Sequence, residues 1–272
     1  MTDSIRVEEN AVYGAAGRDL LCDLYHPEPA TRNRAATLLL HGGGWRGGDK
    51  AMMRNAGLAF AARGYLAIAV GYRLTGEAPW PAQLDDTRTA LRWARSKAVA
   101  FGVEPAQVMI TGFSAGAHLG LLAAGTASAD AERPAAVAAF FPPTRMAAEL
   151  LGRMANLSPE EAEAANPIAN ITGSFPPAIL LHGTGDTLVP YTESTAMFEA
   201  LREADATTDL RLYAGLPHEF VQLPGCMEDA IGAAAGFFQR TVLGRAAFDD
   251  ALAEMQRVWA ERMRAMRAAA PA

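Results

Sequence analysis

The chain has 272 residues, half of them apolar and a fifth charged, which suits one or two domains with a sizeable core and excludes wholesale disorder. Lys and Arg number 24 against 30 Asp and Glu, a formal net charge of −6, and that balance argues against a nucleic-acid partner; only the C-terminal tail is locally rich in Arg. Cys22 and Cys226 sit in no metal-ligand spacing and read as buried thiols, the N-terminus lacks a basic start before an apolar run, and no apolar stretch approaches the roughly 20 residues needed for a membrane span, so a soluble cytoplasmic protein is expected.

Residues 4 to 27 read as two strands joined by the Gly14 to Gly17 turn, a hairpin. The apolar run 35–40 is a buried strand that ends in glycines. A helix follows over about 51–63, a strand over 65–70, and a long helix from Pro81 to about Ala100, with proline at its favoured first position. A strand over 107–111 leads through Ser114 into a helix of small residues, and another strand lies near 135–141. Residues 142–176 hold no strand, only a helical piece over 146–154 and proline-containing turns. The pattern resumes with a strand at 178–181, a helix over about 192–204, a strand over 209–213 and a helix over 227–242. Continuous apolar strands alternating with helices predict a mostly parallel eight-stranded α/β sheet, with helices on both faces and an antiparallel N-terminal hairpin. The chain therefore divides into a domain over 1–243, with a small cap-like insertion at 142–176, and a helical extension over 244–272. Along that extension Phe248, Leu252, Met255, Trp259, Met263 and Met266 form one apolar stripe, expected to pack on its own domain. A homodimer contact is the alternative, and a membrane-surface helix ranks third.

The chemistry concentrates in four loops, each after a predicted strand. Gly112-Phe113-Ser114-Ala115-Gly116 lies between strand and helix, where a tight turn projects a serine hydroxyl above the sheet and needs small residues on either side. His41-Gly42-Gly43-Gly44-Trp45 follows an earlier strand, and its glycines let backbone N–H groups turn inward toward a developing oxyanion. A phosphate-binding loop would carry a Lys-Ser or Lys-Thr pair that is missing here. Asp186 follows one later strand and His218 the next, in the order serine, acid, histidine; Glu219 is the rival acid, set behind because neighbours on an extended loop point apart. Of the other histidines, His26 is expected to be solvated, His41 to hold the glycine loop, His182 to end a strand, and His118 to lie one turn beyond Ser114. None has metal-ligand spacing with a carboxylate, and no dinucleotide fingerprint occurs, so neither metal nor cofactor is implied.

Together these motifs resemble the α/β-hydrolases, nearest the compact, feruloyl- and acetyl-esterase-like members of the hormone-sensitive-lipase-like carboxylesterases. The resemblance runs from about Val12 to Val242, supported by Gly71-Tyr72-Arg73-Leu74, by Pro81-Ala82 with Asp85 and Arg92-Trp93, and by Gly112 to Leu119. It implies Ser114 as nucleophile, His218 as base and then acid, and Asp186 as its partner. The oxyanion donors it implies are the N–H groups of Gly43, Gly44 and Ala115. The substrate implied is a small ester, hydrolysed through an acyl-enzyme. Larger members carry a cap before the first strands, whereas here any cap must come from 142–176, so Met146, Leu150 and Met154 are expected to line an acyl pocket with Trp45 and Trp80. An arylformamidase or amidase on the same triad is the alternative, although formamidases often carry an aromatic residue where this chain has Gly44. A non-catalytic ligand-binding homologue is the further alternative.

Overall fold

Short apolar runs bounded by glycine and proline become the strands of a single sheet. In the computed structural model, which describes residues 5–155 and 157–269, β1 (Arg6–Ala15) and β2 (Asp19–His26) form the N-terminal antiparallel hairpin. β2 pairs antiparallel with β4 (Leu66–Val70), and from there every pairing is parallel: β3 (Ala36–Leu40), β5 (Val108–Phe113), β6 (Val137–Phe140), β7 (Ala178–Gly183) and β8 (Thr208–Tyr213). The strand order is β1-β2-β4-β3-β5-β6-β7-β8. After β3 the chain goes to one side for β4 and to the other for β5, so the loops leaving the carboxyl ends of β3 and β5 open a crevice between them.

The sheet is covered on both faces because alternate residues of each buried strand serve different layers. Leu38, Ile68, Ile110 and Val137 lie in register on one face, beneath α2 (Ala82–Lys97), α3 (Ala115–Gly125) and α6 (Thr192–Glu203). Leu39, Ala69 and Ile179 face the other way, where Phe60 of α1 (Arg54–Ala61) packs with Phe237 and Phe238 of α7 (Cys226–Phe238). Between β6 and β7 lie α4 (Met146–Ala155) and a second helix, α5 (Pro159–Ala164), in a stretch expected to hold turns there. Its signal is Ser158 and Glu161, which form a reciprocal capping box with proline at the first turn. Among the described residues no helix is long and apolar enough to cross a membrane.

Three expectations are corrected. His26 is buried, not solvated, because the hairpin folds it against Phe101 and beside Glu8. Cys226 is only half-buried at the start of α7, while Cys22 is buried; both are free thiols. The C-terminal α8 (Arg245–Ala269) does not lay its apolar stripe on the domain: Phe248, Leu252, Met255, Trp259 and Met266 are all exposed.

Arg73 ties the loop after β4 to α2. The Asp86 carboxylate accepts from the Arg73 backbone N–H at 2.9 Å, from Nε at 2.9 Å and from Nη2 at 2.6 Å. Asp86 is buried and its neighbour Asp85 is exposed, so the acid that works with the Gly-Tyr-Arg stretch is Asp86. Asp86→Ala leaves the half-buried guanidinium without its partner. It should lower stability by about 3–5 kcal/mol, read as a drop in the urea midpoint at unchanged slope.

Candidate active site

β5 ends at Phe113 and α3 begins at Ala115, so Ser114 alone makes the turn, with φ 52° and ψ −116°. That backbone is strained for a residue with a side chain, and it is held by the Ser114 N–H donating to the Phe140 carbonyl at 2.9 Å. The flanking glycines are a steric demand: a Cβ on Gly112 would stand 2.3 Å from the Gly116 carbonyl oxygen, and one on Gly116 would stand 2.1 Å from that of Leu40.

The turn brings Ser114 to the two loops at the far side of the sheet. Ser114 Oγ lies 3.1 Å from His218 Nε2, placed to donate to it, and His218 Nδ1 donates to Asp186 Oδ2 at 2.6 Å. Asp186 follows β7 and is buried; its Oδ1 accepts from the N–H groups of Leu188 and Val189, both at 2.9 Å. Its Oδ2 also lies 3.1 Å from His182 Nε2. Burial pushes the His182 imidazole below its ordinary pKa and so keeps it neutral. Its Nδ1 accepts from Ser194 Oγ at 2.7 Å, which leaves the proton on Nε2 for Asp186 and the Val189 carbonyl. Glu219, the rival acid, sits in a left-handed conformation and accepts from Gln222 Nε2, not from His218.

The glycine loop after β3 closes the site from the other side. Gly43 has φ 108°, a conformation only glycine adopts without strain, and a Cβ there would stand 2.2 Å from the Gly47 carbonyl oxygen. His41, buried and held below its ordinary pKa by that burial, donates from Nδ1 to the Gly42 carbonyl at 2.7 Å and stacks on Tyr72, its ring 4.2 Å away. Trp45 donates from its indole N–H to His118 Nδ1 at 3.2 Å, and His118 Nε2 donates to the Ala165 carbonyl at 2.7 Å. Burial lowers the His118 pKa to about 4, so this bracket stays neutral at physiological pH. The N–H groups of Gly43, Gly44 and Ala115 make no hydrogen bond among the described residues, and all three residues border the same cavity as Ser114 and His218.

That cavity has a volume of about 510 Å³. Trp45, Met146 and Leu150 border it, with Pro143, Leu188, Val189 and Glu219. Trp80 does not: it is half-buried against the core, beside His118 with ring centroids 5.9 Å apart. The side chain of Met154 lies outside the described residues. Leu188 and Val189 carry a legible signal, since they follow Asp186 in the loop that presents it. Glu193 carries none. From the first turn of α6 its buried carboxylate accepts from the N–H groups of Thr144 (2.9 Å), Arg145 (2.7 Å) and Met146 (3.0 Å), the start of α4. Burial alone would raise this carboxyl, but the backbone donors together with Arg145 outweigh it and hold its pKa below the ordinary range.

The chain belongs to the BD-FAE family, a group of hormone-sensitive-lipase-like esterases with the α/β-hydrolase fold; the family model matches residues 22–201. The esterase LipQ of Mycobacterium tuberculosis is 31% identical over 232 residues, covering 76% of this chain and 55% of that protein. The probable carboxylic ester hydrolase LipM of the same organism is 30% identical over 232 residues, covering 75% and 53%. This chain thus spans about half the length of these relatives. Among solved structures, the butyrate-bound esterase Est2 of Thermogutta terrifontis superposes with a TM-score of 0.76 at 25% identity, covering 89% of this chain and 96% of that one.

Glu193→Gln tests the clamp on α4. Because the carboxyl is lowered in the folded state, its contribution is complete above the unfolded glutamate value, near about 4.3, and is lost as pH falls through the folded value. Melting curves from pH 7 to pH 3 should show the variant less stable by about 1–3 kcal/mol at neutrality, with the gap narrowing below pH about 4. A gap independent of pH would remove the carboxylate from this role.

Proposed function

We propose that this protein is a serine carboxylesterase that hydrolyses short-chain acyl esters through an acyl-enzyme intermediate. The observation that carries the proposal is the continuous hydrogen-bonded chain from Ser114 Oγ through His218 to Asp186, opening on a cavity bordered by Gly43, Gly44 and Ala115, whose backbone N–H groups have no partner among the described residues. His218 Nε2 takes the proton as Ser114 Oγ attacks the ester carbonyl, and the oxygen that gains charge is met by the N–H groups of Gly43, Gly44 and Ala115. Collapse expels the alcohol, which takes the proton back from His218. Water, activated by the same imidazole, then releases the acid. Asp186 holds the His218 tautomer and stabilises the imidazolium, and His182 holds Asp186 as a second donor.

Trp45, Met146 and Leu150 form one side of the acyl pocket, which makes residues 142–176 a cap-like insertion on a domain spanning 1–243. The butyrate in Est2 and the apolar walls here both support short acyl chains. Glu219 at the rim and the net charge of −6 favour neutral over anionic esters. The two free thiols suit a reducing compartment such as the cytoplasm.

Ser114→Ala should reduce turnover on p-nitrophenyl acetate and butyrate by several orders of magnitude while leaving the fold intact, and the wild type should lose activity by octanoate. Near-wild-type hydrolysis by the variant would overturn the assignment. For the acid, Asp186→Asn should cost about four orders of magnitude and Glu219→Gln far less, in side-by-side kcat/KM measurements. Leu150→Trp should shift preference toward acetate; an unchanged acyl-length profile would remove α4 from the pocket.

A further inference from the structure

The uncovered stripe of α8 has a charge pattern that says what covers it. Phe248 is 43% exposed, Met255 58%, Trp259 62% and Met266 67%, an unusual density of large apolar groups in water on one helix face. With Leu252, also exposed, they are spaced by four, three, four and seven residues, the spacing of a heptad seam. Charge along the helix is divided. Residues 245–256 hold one Arg against three acids, Asp249, Asp250 and Glu254, while residues 257–269 hold four Arg against Glu261 alone. Within the helix Arg245 pairs with Asp249, and Arg257 pairs with Glu254 and Glu261. Among the described residues Arg262 and Arg267, in the C-terminal half, form no ion pair.

We propose that α8 pairs antiparallel with α8 of a second copy of this chain, making a two-fold symmetric dimer. In that arrangement Phe248 meets Met266 of the other copy and Met255 meets Trp259, so the seam closes on itself. With the same register Asp249 comes beside Arg267 along one flank, and the acidic half of each helix, with Asp249, Asp250 and Glu254, lies against the basic half of its mate, with Arg262 at the edge of the seam and Arg267 beyond it. A parallel pair would set Asp249 against Asp249 and Arg262 against Arg262, which disfavours it.

The test is the mass of the full chain in solution, by light scattering and sedimentation over a concentration series. The expected result is twice the 28.8 kDa of one chain at high concentration. Trp259→Glu should give a monomer with unchanged esterase rate and unchanged helix content per chain. Reversing Arg262 and Arg267 to Glu should weaken association; adding Asp249→Arg and Glu254→Arg to that chain should restore it, because the two ends have then exchanged sign. A wild type that stays monomeric overturns the proposal, as does binding to anionic phospholipid vesicles without self-association. A dimer indifferent to Trp259→Glu overturns it too, and failure of the fourfold variant to recover overturns the antiparallel register.

Discussion

Between the end of β5 and the start of α3 the chain has one residue in which to reverse direction, and Ser114 makes that turn with a positive φ. A conformation of this kind costs of order 1–3 kcal/mol and persists only where the surroundings over-determine it. Here they do. The Ser114 N–H is taken by Phe140 on β6, and Gly116 comes so near the Leu40 carbonyl that no side chain fits between them. The second contact matters beyond sterics, because Leu40 is the last residue of β3 and the glycine loop begins directly after it. Serine and the N–H groups facing it are therefore set relative to one another by backbone packed on backbone, which has less freedom than any side-chain bridge.

The loops around that turn are braced by imidazoles. His41, His118 and His182 are buried, each is kept neutral by its burial, and each joins two segments distant in sequence or fixes a loop on itself. A neutral imidazole suits this task because it offers one donor and one acceptor on a rigid ring, about 2 Å apart, with no charge to solvate. His118 shows the use clearly: accepting from Trp45 and donating to Ala165, it spans the glycine loop, α3 and the turn after α5. Only His218 is left with access to the cavity, and its ring is held edge-on to Phe141 at 4.6 Å.

Much of this was legible because the chemistry follows strands, and strands are local patterns. Gly112 to Gly116, the glycine run, Asp186 and His218 each sit just past a short apolar run, so reading the runs located the loops. What resisted was set by contacts across the chain. Asp85 and Asp86 are adjacent, and only the rotation of α2, about 100° per residue, decides which meets Arg73. Thr144 and Glu193 are 49 residues apart, and nothing local announces that one helix caps another. Trp80 is aromatic and close to the site in sequence, yet half-buried against the core. The α8 stripe was readable as a stripe; periodicity reports an apolar face and is silent on its cover.

The two walls of the cavity stand on different footings. Leu188 and Val189 lend their backbone N–H groups to Asp186, so that wall and the acid are one piece of chain. The α4 wall hangs from the Glu193 carboxylate through three backbone donors, and among the described residues no bond runs from it to Ser114, His218 or Asp186. Natural variation can therefore resize the cavity from the α4 side while leaving the Ser114–His218–Asp186 hydrogen bonds in place, whereas change on the Leu188 side perturbs both at once. Descendants of such a chain could reshape the cavity by exchanging side chains along α4, with the hydrogen-bonded chain behind it inherited intact.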